Sequence, residues 1–174
     1  MFTYTEKITN QFFSFSEGEI TIQEFQKWIY ETEELLEVLG EDKYSKLLSV
    51  FFNGIFVKDD LEDLIENFYS ESKIGINNEK LIWILEAMIE GRYDVVTGCA
   101  VLASLRSFEK GYDFIPIELV GYDSLIEDMV YRYKADKDKA EMNRVIDLYK
   151  IEITKIAKNI LSSIYTNPNI LHGV

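Results

Sequence analysis

The stretch "KDDLEDLIENFYSES" places Leu61, Leu64, Ile65, Phe68 and Tyr69 at i, i+3, i+4, i+7 and i+8, which is one face of a helix. A strand, whose faces alternate every second residue, cannot gather them on one side. The same spacing recurs along the chain. Ile8, Phe12 and Phe15 share a face over Thr5–Ser16, and Gly18 follows as a left-handed terminator. Thr21-Ile22-Gln23-Glu24 is a capping box that opens a helix with Ile22, Phe25 and Ile29 on its apolar side. The helical pattern continues from Glu31 to Leu39, is punctuated by Gly40, and resumes from Asp42 to about Phe52. Asn77 or Asn78 caps Glu79–Glu90, whose apolar residues nearly encircle the helix, and Tyr93–Lys110 is similar until Gly111 ends it. The segment 111–136 is the least regular, holding both Gly and Pro. From Asp138 to about Tyr165 a long amphipathic helix returns, with Ile146, Tyr149, Ile153, Ile156, Ile160 and Ile164 as its seam. Only two Pro and nine Gly interrupt 174 residues. The expectation is an all-α fold of about seven to eight helices in antiparallel pairs with a long C-terminal helix. One domain would span 1–166, with a frayed tail at 167–174.

Apolar residues make up 47% of the chain, enough for a sizeable core. The net charge is −13, and residues 1–131 carry 26 acids against 10 bases, whereas 132–174 carry 8 bases against 5 acids. Such a field repels nucleic acid and anionic membrane and steers basic partners inward, although acidity also serves solubility. The lone cysteine, Cys99, excludes an internal disulfide and sits in the apolar stretch "VVTGCAVLASL", where core burial is expected. The opening residues "MFTYTEKITN" lack a basic region followed by an apolar one, and no apolar run reaches about 18 residues. A cytoplasmic protein is expected.

Three constellations invite a chemical reading, and each lacks parts. "DDLED", Asp59–Asp63, matches the aspartate-rich magnesium motif of all-helical prenyl-transfer enzymes, but the chain is short and offers no second such motif. Acids in a first helical turn also oppose the positive end of the helix dipole. "ADKDKAEMNRVID" suggests a calcium loop until Ala140 and Glu141 fall where an oxygen ligand and a Gly are required. His172 is the only histidine, so zinc clusters, di-iron sites and His-based triads lack their parts. Neither catalysis nor a metal or other cofactor is expected.

"GYDFIPIELVGYDSLIEDMVYRY", Gly111–Tyr133, repeats Gly-Tyr-Asp ten residues apart. It sets Tyr112, Tyr122, Tyr131 and Tyr133 among Asp113, Asp123, Glu127 and Asp128. Tyrosine beside carboxylate is good binding chemistry, because the ring supplies rigid area and the acid pairs with Lys or Arg. The same residues also have structural uses: Gly111 can end a helix, Asp123 can cap the next, and tyrosines often half-bury.

Gly18-Glu19-Ile20-Thr21, Glu24-Phe25, Trp28-Ile29-Tyr30, Leu39-Gly40-Glu41-Asp42, Tyr44 and Leu47-Leu48-Ser49 form an ordered pattern. It resembles a group of short proteins from Gram-positive bacteria, the predicted immunity proteins of polymorphic toxin systems, encoded beside the toxins they neutralise. Gly111-Tyr112-Asp113-Phe114, Gly121-Tyr122 and Tyr133-Lys134-Ala135-Asp136 resemble that group's middle segment. The likeness covers residues 10–50 well and 108–138 loosely. Members of the group carry Pro-Pro after the second Gly-Tyr, where this chain reads Asp123-Ser124-Leu125.

The resemblance implies a non-catalytic inhibitor that binds a cognate toxin domain and occludes its basic, nuclease-like active site. An acidic helical adaptor for an endogenous protein is the alternative, and a monomer is favoured. In the matched segment Ile22, Phe25, Trp28, Ile29, Leu35, Leu36 and Leu39 read as core. The acids of Glu31–Asp42 must face water or a partner. Candidate partner-binding residues are Glu31, Glu33, Glu34 and Glu37, then Asp59, Asp60 and Asp63, then Tyr112, Asp113, Tyr122, Asp123 and Glu127.

Overall fold

The computed structural model describes residues 3–73, 75–109, 111–133 and 139–171. These residues are all-α: eight α-helices and a terminal 3-10 turn, with no strand among them. The helices are α1 (Glu6–Ser16), α2 (Ile22–Glu31), α3 (Glu34–Leu48), α4 (Val57–Phe68), α5 (Ile76–Glu90), α6 (Val95–Phe108), α7 (Glu118–Tyr133) and α8 (Lys139–Thr166). The chain gathers into two compact units, 1–80 and 81–174, and α5 runs from the first into the second. No helix of the described residues is long and apolar enough to cross a membrane.

The first unit is built on an aromatic cluster. The Phe12 ring lies 6.0 Å from Trp28 and 5.9 Å from Tyr4, both edge-on, and 6.2 Å from Phe68, while Phe15 stacks on Phe25 at 4.3 Å. Offset and edge-to-face rings suit the aromatic quadrupole and add to the area they bury. The Thr21 capping box forms as expected: its hydroxyl accepts the Glu24 amide at 3.2 Å, and the Glu24 carboxylate accepts the Thr21 amide at 2.7 Å. Those hydrogen bonds hold the Glu24 carboxyl below its ordinary pKa. At the far end of α4, the Phe68 carbonyl would lack an intrahelical partner. It accepts from the Tyr4 hydroxyl at 2.7 Å and from Lys43 Nζ at 3.1 Å. Glu79 is buried at the start of α5 and accepts the Thr3 amide at 2.9 Å, the Ser72 hydroxyl at 2.8 Å and the Thr3 hydroxyl.

In the second unit Leu81, Ile82, Trp83, Ile84 and Leu85 are all buried, so this part of α5 is enclosed on every face, as its composition demanded. Asp94 caps α6 by accepting the Val96 and Thr97 amides at 3.1 and 2.9 Å. Gly98 permits the close approach of α5, since a Cβ there would collide with the Met88 thioether. The long helix α8 packs on α6 and α7 and buries Ile153, Ala157, Ile160 and Ile164. Its Tyr165 hydroxyl donates to Glu86 on α5.

Several local expectations need correction. The chain does not run helically from Glu31 to Leu39. It breaks at Thr32, which is extended (φ −102°, ψ 94°) and buried, and α3 begins afresh beyond it. That restart turns Leu36 outward at 48% exposure, away from the core assigned to it; on α2, Ile22 and Trp28 are half-buried, where full burial was expected. The helix from Asp42 stops at Leu48, short of Phe52. Asn77 and Asn78 lie inside α5 and do not cap it. The segment read as least regular contains the sixteen-residue helix α7, so Asp123 is a helix-interior residue and not a cap. Where a frayed tail was expected, Pro168–Leu171 forms a 3-10 turn on α8 with Leu171 buried. His172, Lys110 and the Lys134-Ala135-Asp136 part of the resemblance lie outside the described residues.

Candidate functional site

The first acidic group straddles the break between α2 and α3. Glu31 ends α2, Glu33 is the N-cap position of α3, and Glu34 and Glu37 occupy its first turn. Acids here complement the positive end of the α3 dipole, which gives them a local structural reason. With Lys7 and Thr32 they line an open depression of about 620 Å³. Lys27 reaches Glu31 at 3.8 Å and Lys7 reaches Glu34 at 3.3 Å, whereas Glu33 and Glu37 have no basic group within 4.0 Å among the described residues. Surface pairs this open hold their partners weakly.

The second group, Asp59, Asp60 and Asp63, is exposed along the first turns of α4. Among the described residues no three His, Cys, Asp or Glu side chains converge as a metal-binding set, so "DDLED" does not gather one.

The Gly-Tyr-Asp pairs prove unequal. Tyr112 is 1% exposed, and as a binding residue it must be withdrawn: its ring is core, packed near Phe114. Asp113 is exposed and paired with Arg106. Tyr122 is half-buried, its ring 5.3 Å from Tyr149 of α8, which leaves only part of it for a partner. Asp123 and Glu127 sit one turn apart on α7, on the wall of an open groove of about 830 Å³ between α6 and α7, with Val96, Ala100, Val130 and Tyr131 as apolar lining. Burial, and then the like charge of Glu127, push the Asp123 carboxyl above its ordinary range. Cys99 is fully buried beneath, its thiol near the Leu119 carbonyl at 3.5 Å. Burial, with the Asp123 charge behind it, pushes that thiol up to about 12, so it is no nucleophile at neutral pH.

Charge follows the division into units. Residues 1–80 hold 17 acids and 7 bases, a net −10; residues 81–174 hold 14 and 11, a net −3. Six of the seven bases engage groups within the unit: Lys43 at the end of α4, and Lys7, Lys27, Lys46, Lys58 and Lys80 on carboxylates.

The sequence reading overlooked the turn between α3 and α4, "VFFNGIF". Phe51 is 73% exposed, Ile55 94% and Phe56 67%. Tyr30, at the end of α2, is exposed as well and packs its ring 6.3 Å from Phe52. The signal was available: an Asn-Gly turn inside an apolar run without helical period cannot bury all of its large side chains.

No family model, curated protein or solved structure matches the chain.

Proposed function

We propose that this chain is an immunity protein, a stoichiometric and non-catalytic cytoplasmic inhibitor that binds a cognate bacterial toxin and covers a basic, nuclease-like active site. The observation that carries the reading is the net −10 of residues 1–80, much of it on exposed first turns of α3 and α4. The resemblance over residues 10–50 falls in that same unit. A toxin that handles nucleic acid presents a basic cleft, and a complementary negative face raises the encounter rate and orients the approach. The same field disfavours nucleic acid and anionic membrane as partners. The inhibitor acts as a monomer, because pairing two such faces would bring like charges together.

The test is co-expression with the toxin domain encoded beside the gene. The expected result is rescued growth and a one-to-one complex that survives gel filtration. A harmless neighbour that does not bind the purified protein would end this reading.

The α6–α7 groove favours a second reading. Its apolar floor and the Asp123 and Glu127 rim suit a basic amphipathic helix of an endogenous protein, which would make the chain an adaptor. Tight binding to a host protein in cells lacking any toxin gene would select that alternative.

A further inference from the structure

We infer that the turn 51–56 is the apolar anchor with which the acidic first unit holds its basic protein partner; this rests on the toxin-binding reading above. Phe51, Ile55 and Phe56 expose most of their surface, and the Tyr30–Phe52 ring contact draws the end of α2 onto the same turn. Contiguous apolar exposure of this kind on a small protein marks an interaction surface.

The turn is pre-shaped. The Gly54 amide donates to the Phe51 carbonyl at 2.9 Å and the Val57 amide to the Gly54 carbonyl at 3.4 Å. A Cβ at position 54 would press to 3.1 Å from the Phe51 carbonyl oxygen, so a side chain there would push the turn apart by a few tenths of an ångström. A turn fixed in advance loses little conformational entropy on binding.

Charge decides the occupant. Glu31 follows Tyr30, whose ring meets Phe52, and Asp59 and Asp60 stand three and four residues beyond Phe56. The bases nearest the turn along the chain, Lys46 and Lys58, are paired with Asp42 and Glu62, and the unit as a whole keeps its net −10. A second copy docked symmetrically here would set those carboxylates against their own equivalents, which is repulsive. A partner with Lys and Arg around an apolar recess satisfies both parts: aromatic and aliphatic anchors at the centre, charge at the rim. The anchors govern residence time and the rim acids govern encounter.

The experiment measures binding of the adjacently encoded toxin domain by surface plasmon resonance, with folding of each variant checked by circular dichroism. Ile55→Ser and Phe51→Ser remove exposed side chains. Each should weaken binding about thirty-fold or more, mainly through faster dissociation. Tyr131→Ser, on the exposed aromatic of the second unit's groove, should bind like the parent. If the parent binds and the turn variants bind equally well, the anchor is elsewhere and this inference fails while the toxin reading stands. If Tyr131→Ser alone loses binding, the partner occupies the α6–α7 groove and the inference fails. If the parent sediments as a dimer that Ile55→Ser dissociates, a second copy covers the turn and the inference fails. If the parent does not bind the toxin domain at all, the toxin reading fails and takes this inference with it.

Discussion

At the scale of single residues, two shielded carboxylates, the buried Glu79 and the half-buried Asp123, play opposite parts in the two units. Glu79 gathers the Thr3 amide and hydroxyl and the Ser72 hydroxyl, and so pins the segment leading into α1. Glu79→Ala removes an acceptor from three donors at once. Because Thr3 and Ser72 keep some access to water, the cost is about 1–3 kcal/mol, read as a lower urea midpoint with unchanged slope. Among the described residues Asp123 has no such donors to hold its charge. Its pKa in the folded chain is raised above 3.8 by burial and then by Glu127. The folded state therefore binds the proton more tightly than the unfolded state does. The stability this confers is complete below the unfolded pKa and is lost as pH rises through the folded one. Asp123→Asn should accordingly raise the Tm at pH 7, with the gain vanishing below about pH 4, near the unperturbed carboxylate value. A gain that persists at low pH would assign the effect to packing.

Glycines show how elements are started, bent and continued. Gly40 interrupts α3 with φ 80° and ψ 164°, a conformation nearly confined to glycine, although a Cβ there would meet nothing within 4 Å. Gly40→Ala should thus destabilise through backbone strain alone, by about 1–3 kcal/mol. Gly121 lies in open space inside α7, and Gly121→Ala should stabilise by about 0.4–1 kcal/mol through the unfolded chain. Chemical denaturation of the pair checks both signs together. The same two residues mark what the sequence could and could not disclose. Gly40 was legible as punctuation because it falls between two apolar patterns. Gly121 and Pro116 lie in the segment that reads as least regular, yet Gly121 sits inside α7 and Pro116 merely precedes it, its carbonyl accepting the Leu119 amide at 3.2 Å. The Thr21 capping box and the α4 face were legible because local hydrogen bonding and periodicity decide them. The break at Thr32 was not, since no Gly or Pro announces it and the acids that follow fit a continuing helix as well as a new one. Among candidate site residues, the exposed acids of α3 and α4 lie on the surface as charge requires. The burial of Tyr112 depends on tertiary packing that no local pattern records, whereas the Asn-Gly turn inside the apolar run 50–56 was itself a sign that large side chains there would be exposed.

At the scale of the whole molecule, the uneven charge is the property from which function is argued. Glu33, Glu34 and Glu37 stand at the first turn of α3 inside the unit of net −10, and two of them have no basic group within 4.0 Å among the described residues. If they steer a basic toxin domain, their effect belongs to association and depends on ionic strength, because exposed charges are screened beyond about 10 Å at 0.1 M salt. The direct measurement is stopped-flow association with that domain from low to high salt, for the parent and for the triple charge reversal Glu33→Lys, Glu34→Lys, Glu37→Lys. The account predicts an association rate for the parent that falls steeply with salt. It predicts a rate for the reversed protein about ten-fold or more lower at low salt, the two converging as salt rises. Equal rates for the two proteins at every ionic strength would contradict it and return these acids to simple solvation.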